Sequence, residues 1–360
     1  MAVRPQTFPM ASLRGSAYDI GYQHGSTFRP LIRDNVRLYL DVFAHYARLD
    51  KEEVFTRARM FIPIIERFDK EILEEIHGIA EGSGSTLDEI VALNCRTEIM
   101  FKEPSAVVGG CTAMAVSPEV TESGHTLIGQ NWDWIEKLQA NSVILRIAQK
   151  AKPAILTFTE AGFVGKSGLN SAGLGLCVNL LLTERVGVGM PFHVMIRGIL
   201  NSTSLGEAIG KIINNEHGAS ANYLIAHAGG EALDIEASPD GAEYLYNREG
   251  TLAHANHFES KISVCDLGRR ILPDSILRSG RAGRLLAGRG GPVTLELLQS
   301  ILQDHFNYPN SICRHPDDRL PELERLQTNA SMVMDLNDRV MMACVSNPCL
   351  GSYTPIPLEG

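Results

Sequence analysis

Apolar residues over the first hundred positions recur at helical spacing. Ile32, Val36, Leu40, Phe43 and Ala47 fall on one stripe, and Phe68, Ile72, Ile76 and Ile79 on another. A stripe of this kind predicts a helix with one face in a core. Ser85-Thr86-Leu87-Asp88 reads as the opening of a third helix, with Asp88 and Glu89 in its first turn. Gly82-Ser83-Gly84 reads as the C-cap of the helix before it.

The pattern changes at Gly109-Gly110. Cys111 to Val116 is small and apolar, Glu122-Ser123-Gly124 makes a turn, and Thr126 to Asp133 is again largely apolar. Two such runs around a glycine turn predict a β-hairpin. Further strands are expected over 142–147, 154–159 and 174–181, then 223–226, 232–236 and 243–246. A helical block runs from Pro191 to about Asn215, with Ser204 capping its second helix over 205–213. A last helix spans about 293–304, and strands close the chain at 331–335 and 340–345. Helices, strands, helices and strands in that order predict an α+β layered domain, without internal repeats or linkers.

The chain has 360 residues, 44% of them hydrophobic and 21% charged, which is enough to build a sizeable core. A net charge of −9 argues against a nucleic-acid partner, which calls for a basic face. No leader and no membrane-length apolar run is visible, so a reducing cytoplasm and no membrane partner are expected. The seven cysteines are odd in number and irregular in spacing, and disulfides are not expected.

Candidate chemistry centres on the Gly110–Cys111 bond. A thiol can attack the carbonyl that precedes it, and glycine at 110 leaves that carbonyl unshielded. Hydrolysis of the resulting thioester frees a new N-terminus at Cys111. A free α-amine titrates at about 7.7–8.0 and a thiol at about 8.5, so the amine can take the thiol's proton near neutral pH. The bland alternative is a cysteine that serves as a small buried hydrophobe.

Gly110-Cys111-Thr112 followed by Gly129-Gln130-Asn131-Trp132-Asp133 resembles the acyl-coenzyme A:isopenicillin N (6-aminopenicillanic acid) acyltransferase family of N-terminal-nucleophile (Ntn) hydrolases. Gly15-Ser16-Ala17-Tyr18-Asp19-Ile20-Gly21 looks like the family's opening helix. Gly168-Leu169-Asn170-Ser171-Ala172-Gly173 and Ser311-Ile312-Cys313-Arg314-His315-Pro316 also look like family motifs. The resemblance covers nearly the whole chain; each motif is weak alone, and their order and spacing are specific. It implies a four-layer αββα sandwich with mostly antiparallel sheets. Residues 1–110 would be a small helical fragment and 111–360 a large fragment headed by the nucleophile. The two fragments would remain associated as one integrated domain.

The resemblance also implies roles. Autocleavage falls between Gly110 and Cys111. Asp133 would hold the freed amine, where a lone aspartate after Trp132 would otherwise be a turn residue. Asn179 matches an active-site asparagine of related bile-salt and penicillin V hydrolases, against a solvent-facing position on an alternating strand. Asn256, between His254 and His257, matches an oxyanion-hole amide, against a loop asparagine satisfying its own turn. Arg325 matches an arginine near the nucleophile, against a surface arginine among Glu322 and Glu324. Glu324 departs from the serine of penicillin-acting members, which weakens a penicillin-specific expectation.

Other chemistries lack their signatures. There is no G-x-S-x-G elbow, no Walker loop and no G-x-G-x-x-G. Cys313 and His315 could begin a metal site that Cys344 and Cys349 complete, but the spacing is irregular, and neither metal nor cofactor is expected. The sequence thus predicts a self-processing cysteine amidohydrolase that acts on a small N-acyl amide through an acyl-thioester. Acyl transfer from acyl-coenzyme A is the alternative, and a non-catalytic binding protein is the competitor from another class.

Overall fold

The computed structural model describes residues 7–100, 109–247, 249–288 and 290–359. Its strands, in chain order, are β1 (Met10–Gly15), β2 (Cys111–Val116), β3 (Leu127–Ile135), β4 (Ser142–Gln149), β5 (Ile155–Glu160), β6 (Gly168–Asn170) and β7 (Leu174–Leu180). They continue as β8 (Ala221–His227), β9 (Ala232–Ser238), β10 (Gly241–Tyr246), β11 (Thr251–His254), β12 (Leu326–Asp335), β13 (Val340–Val345) and β14 (Thr354–Pro357).

They form two sheets. One has eight strands in the order β1-β4-β5-β6-β7-β8-β9-β10, and the other six in the order β11-β2-β3-β12-β13-β14. Every pairing is antiparallel except that of β1 with β4. The sheets face each other through β2 and β3 against β7 and β8. Helices Asp274–Ala287 and Leu295–Leu302 cover the outer face of the six-stranded sheet. Helices Phe192–Leu200 and Leu205–Ile213 cover the other sheet. Strands between two apolar layers read as continuous apolar runs, and β2, β3 and β7 are buried at every position. The architecture is therefore α+β in four αββα layers, as expected.

Several predicted elements form where their local chemistry places them. Thr86 and Glu89 make a reciprocal capping box at the start of helix Leu87–Asn94. Ser204 caps helix Leu205–Ile213 by accepting from the Glu207 N–H. Gly84, at φ 69°, ends helix Lys70–Ser83. The first stripe is corrected. In helix Arg29–Val42 the fully buried face is Ile32, Asn35, Leu38, Tyr39 and Val42, while Val36 and Leu40 are only half-buried. Phe68 belongs to a separate helix, Ile62–Phe68, because Asp69 breaks the run and caps the next helix.

Helix Ala17–Thr27 packs against Lys70–Ser83 at backbone contact distance. A Cβ at Gly21 would stand 2.0 Å from the Glu75 carbonyl oxygen, and one at Gly78 would stand 2.2 Å from that of Tyr18. Only glycine permits this approach.

Residues before Gly110 are built into the layers that follow it. Besides β1, Tyr39 Oη donates to Glu160 at 2.6 Å and Asn94 Nδ2 to the Gly162 carbonyl at 3.0 Å. Glu75 and Arg197 form a fully buried ion pair at 2.7 Å. No described helix is long and apolar enough to cross a membrane.

Candidate active site

Cys111 is the first residue of β2, an inner strand of the six-stranded sheet, and lies opposite Trp132 of β3. Its backbone is held on three sides. The Asp133 N–H donates to the Gly110 carbonyl oxygen at 2.8 Å. The Cys111 N–H donates to Asn256 Oδ1 at 2.8 Å. Arg278 Nη1 donates to the Cys111 carbonyl at 2.7 Å and to Thr112 Oγ1 at 3.1 Å. Both sides of the Gly110–Cys111 peptide are thus immobilised by residues distant in sequence. A side chain at 110 would be crowded: a Cβ would lie 3.1 Å from Arg314 Nε and 3.2 Å from Asp133 Oδ2.

A buried ion network surrounds this bond. Asp274 Oδ2 accepts from Arg278 Nε at 2.9 Å and from Arg314 Nη2. Arg314 Nε approaches Asp133 Oδ2 at 3.4 Å, a distance of charge pairing rather than of a formed hydrogen bond. Thr328 Oγ1 donates to Asp133 Oδ1 at 2.7 Å. Burial lifts the Asp133 carboxyl to about 7 even though Arg314, Arg278 and Thr328 pull it down. Burial, reinforced by the neighbouring Asp133 charge, pushes the Cys111 thiol up to about 12. Around an unbroken peptide bond the thiol is therefore a poor nucleophile until its proton has somewhere to go.

A small cavity beside the thiol is lined by Arg96, Thr97, Gly109, Cys111, Trp132, Asp133, Trp134, Leu180 and Phe192. The Arg96 guanidinium is buried and stacks on Trp134, 4.1 Å from the ring centroid. Among the described residues its Nε and Nη1 have no hydrogen-bond partner. Lys166 is fully buried, 3.1 Å from Glu160 and 4.0 Å from the Trp132 ring centroid. Burial lowers its ammonium to about 7, with Glu160 offsetting part of the cost.

Asp133 and Asn256 are thus brought to Cys111. In this geometry Asn256 presents its carbonyl oxygen to Cys111 and to Arg278 Nη2, at 2.8 Å in both cases, and donates one amide N–H to the Leu180 carbonyl at 2.9 Å. Here its oxygen is an acceptor that fixes the Cys111 nitrogen, and one of its two amide N–H donors is taken by Leu180. Asn179 is buried, 3.5 Å from the His254 carbonyl, and accepts from Asn222 at 3.2 Å; it does not line the cavity.

Arg325 is not brought to the site. Its guanidinium donates to the Leu320 and Asp318 carbonyls and pairs with Asp318 at 3.3 Å, while its own carbonyl accepts from Glu136 N–H. The arginines that border the Gly110–Cys111 peptide are Arg278 and Arg314, with Arg96 across the cavity. Arg314 lies in the quoted 311–316 motif, one residue from Cys313, and could have been singled out there. Arg278 sits on helix Asp274–Ala287, where only the i,i+4 spacing of Asp274 and Arg278 hinted at it. Neither flanking histidine is set up for a metal. His254 is paired with Glu236 at 2.7 Å, and His257 Nδ1 lies 2.8 Å from Ser275 Oγ.

Residues 120–349 match the family described as acyl-coenzyme A:6-aminopenicillanic acid acyl-transferase. The chain is 32% identical over 303 residues to the 40 kDa form of acyl-coenzyme A:6-aminopenicillanic-acid-acyltransferase of Emericella nidulans, across 84% of this chain and 83% of that one. Among solved structures it is similar to a mutant of conjugated bile acid hydrolase from Clostridium perfringens. The TM-score is 0.50 at 14% identity, covering 69% of this chain and 94% of that one. It also matches penicillin V acylase from Agrobacterium tumefaciens with a TM-score of 0.44 at 12% identity, covering 65% and 82% of the two chains. The bile acid hydrolase likeness is one of fold, the Ntn-hydrolase sandwich. The sequence match goes further: this chain belongs to the acyl-coenzyme A:6-aminopenicillanic acid acyltransferase family.

Proposed function

We propose that the chain cleaves itself between Gly110 and Cys111, and that the freed Cys111 then transfers acyl groups from small N-acyl amides to water. The observation that carries this reading is the clamped peptide. Asp133 N–H sits on the Gly110 carbonyl, Asn256 on the Cys111 nitrogen and Arg278 on the Cys111 carbonyl. In the first step Sγ attacks the Gly110 carbonyl carbon and its proton passes by way of Asp133 to the leaving nitrogen. The C–N bond breaks to give a thioester and an α-amine. The Asp133 N–H is aligned to take the oxyanion charge, a type of contact worth about 3 kcal/mol. Water then hydrolyses the thioester and releases Gly110 as a carboxylate.

The new amine remains beside Asn256 Oδ1 and Asp133. It removes the thiol's proton as sulfur attacks a substrate carbonyl, and returns the proton to the departing amine. The acyl-thioester is then hydrolysed. The Arg96 guanidinium, with two unpaired donors at the cavity, suits a substrate that carries a carboxylate or another anionic oxygen next to the scissile bond. Because Arg96 precedes the cut, the small fragment would supply part of the pocket and remain bound through the contacts that cross it.

The name of the Emericella relative favours a second reading, in which acyl-coenzyme A is the donor and an amine the acceptor. Purified protein should run as two fragments, the larger beginning at Cys111, and should turn over N-acyl amides without an added amine. A single intact chain in folded, active protein excludes self-cleavage. Turnover that depends wholly on an amine acceptor moves the assignment to the transferase.

A further inference from the structure

We propose that His305, Cys313, His315 and Cys349 bind one zinc ion in a tetrahedral Cys2His2 site, separate from the nucleophile. Their ligand atoms all lie within 4.8 Å of one another. His305 Nε2 and His315 Nε2 are 3.1 Å apart, and the Cys313 and Cys349 Sγ atoms 3.5 Å apart. His315 Nε2 is 3.6 Å from Cys313 Sγ and 3.3 Å from Cys349 Sγ.

These spacings are close to those that a metal would impose. Zn–S bonds of about 2.3 Å and Zn–N bonds of about 2.05 Å at tetrahedral angles put two sulfurs about 3.8 Å apart, sulfur and nitrogen about 3.6 Å, and two nitrogens about 3.3 Å. Two thiols and two imidazoles also form the donor set that zinc prefers over magnesium or calcium. Binding displaces one proton from each thiol, and the two thiolates neutralise the dication.

Three of the four ligands stand out in the sequence, but not His305 or the set as a whole, because the ligands come from three segments. His305 follows helix Leu295–Leu302, Cys313 and His315 lie on the loop before β12, and Cys349 lies in the turn after β13. Cys344, the partner expected for Cys349, is not in the cluster. The backbone is already drawn together: Cys313 N–H donates to the Asp304 carbonyl at 3.0 Å, and Asn347 Nδ2 to the Arg314 carbonyl at 2.6 Å. His305 is exposed, so the metal can arrive from solvent. Between the two loop ligands stands Arg314, whose guanidinium meets Asp133 and Asp274. The ion would anchor the arginine that borders the Gly110–Cys111 bond.

The test is zinc stoichiometry of the full chain by elemental analysis, after removal of metal and reconstitution with zinc under reducing conditions. About one zinc per chain is expected. Cobalt substitution should give the visible absorption of a tetrahedral site together with thiolate-to-metal charge transfer. Cys349→Ser and His305→Gln should each weaken zinc binding at least tenfold, and the exposed Cys265→Ser should not alter it. Because the ligand variants could misfold, the thermal midpoint of the unmodified chain is also followed, and added zinc should raise it. Reconstituted, folded protein without zinc overturns the proposal, whether Cys313 and Cys349 are then free or joined. So does tenfold or greater loss in Cys265→Ser with none in the ligand variants. These readouts stand whether or not the chain cleaves itself.

Discussion

Asn256 Oδ1 accepts the Cys111 N–H at 2.8 Å across 145 residues of sequence. The same oxygen takes a second donor, Arg278 Nη2, at 2.8 Å. An oxygen with two donors is fixed in direction, so the Cys111 nitrogen is held where a liberated amine would need to be. Asn256→Leu removes the acceptor and leaves both donors buried without it. It is expected to slow processing and turnover by at least a hundredfold, scored by fragment appearance and by amide hydrolysis. Processing within a few-fold of the parent would show that the nitrogen is positioned by something else.

Cys111→Ala should remain one full-length chain under denaturing conditions, because the attacking sulfur is gone. Mass spectrometry of the purified variant reads this directly. Conversion at the parent rate would assign the cut to another residue.

Gly110→Ala tests the packing at the bond. The added methyl would press on Arg314 and Asp133 at 3.1–3.2 Å, closer than ordinary contact. The long Arg314 side chain can yield by a few tenths of an ångström, so folding should survive. The carbonyl would shift with it, and the conversion half-time should lengthen by an order of magnitude or more.

Arg278 and Arg325 should part company. Arg278→Met removes the Cys111 carbonyl's donor and one of the two arginines on buried Asp274, at a cost of about 3–5 kcal/mol for a broken buried pair. Arg325→Met removes an exposed pair worth about 0–1 kcal/mol. Thermal melts and turnover should both fall for the first and hardly move for the second. Equal effects would contradict the placement of these two side chains.

Processing should speed up as pH rises through about 7, because Asp133 must be ionised to take the thiol's proton and burial raises its carboxyl to about 7. Thr328→Val removes a hydrogen bond that favours the carboxylate, so the midpoint should move to higher pH. Stability of the Cys111→Ala chain should run the other way. The folded carboxyl holds its proton where the unfolded one, near 3.8, has lost it. That contribution is complete below the unfolded value and fades as pH rises through about 7, by about 1.4 kcal/mol per pH unit at most. A rate profile flat from pH 6 to 8 would remove Asp133 from the proton path.

The β2–β3 hairpin was legible because small and apolar runs flank a glycine turn, and its register then places Asp133 one residue beyond the partner of Cys111. Helix Asp274–Ala287 was not legible. Its buried face carries Ser275, Arg278, Ser279 and Ala282, while Ile276 and Leu277 point outward, so hydrophobic periodicity points the wrong way. The site arginine went unnoticed with it. Strand β1 escaped for a similar reason, since only Leu13 in it is buried. Helix caps at Thr86 and Ser204 were readable because a cap is a local bargain between one side chain and one backbone N–H. An ion network drawn from β3, two loops and a helix leaves no spacing to read.

The close seam of Gly21 and Gly78 joins two helices that both precede Gly110, whereas β1 lies along β4 on the far side of that bond. Opening the bond would turn the β1–β4 pairing from a tether within one molecule into a contact between two. Unfolding would then release two particles instead of one. Its midpoint would rise with protein concentration in the processed enzyme and be indifferent to it in the Cys111→Ala chain.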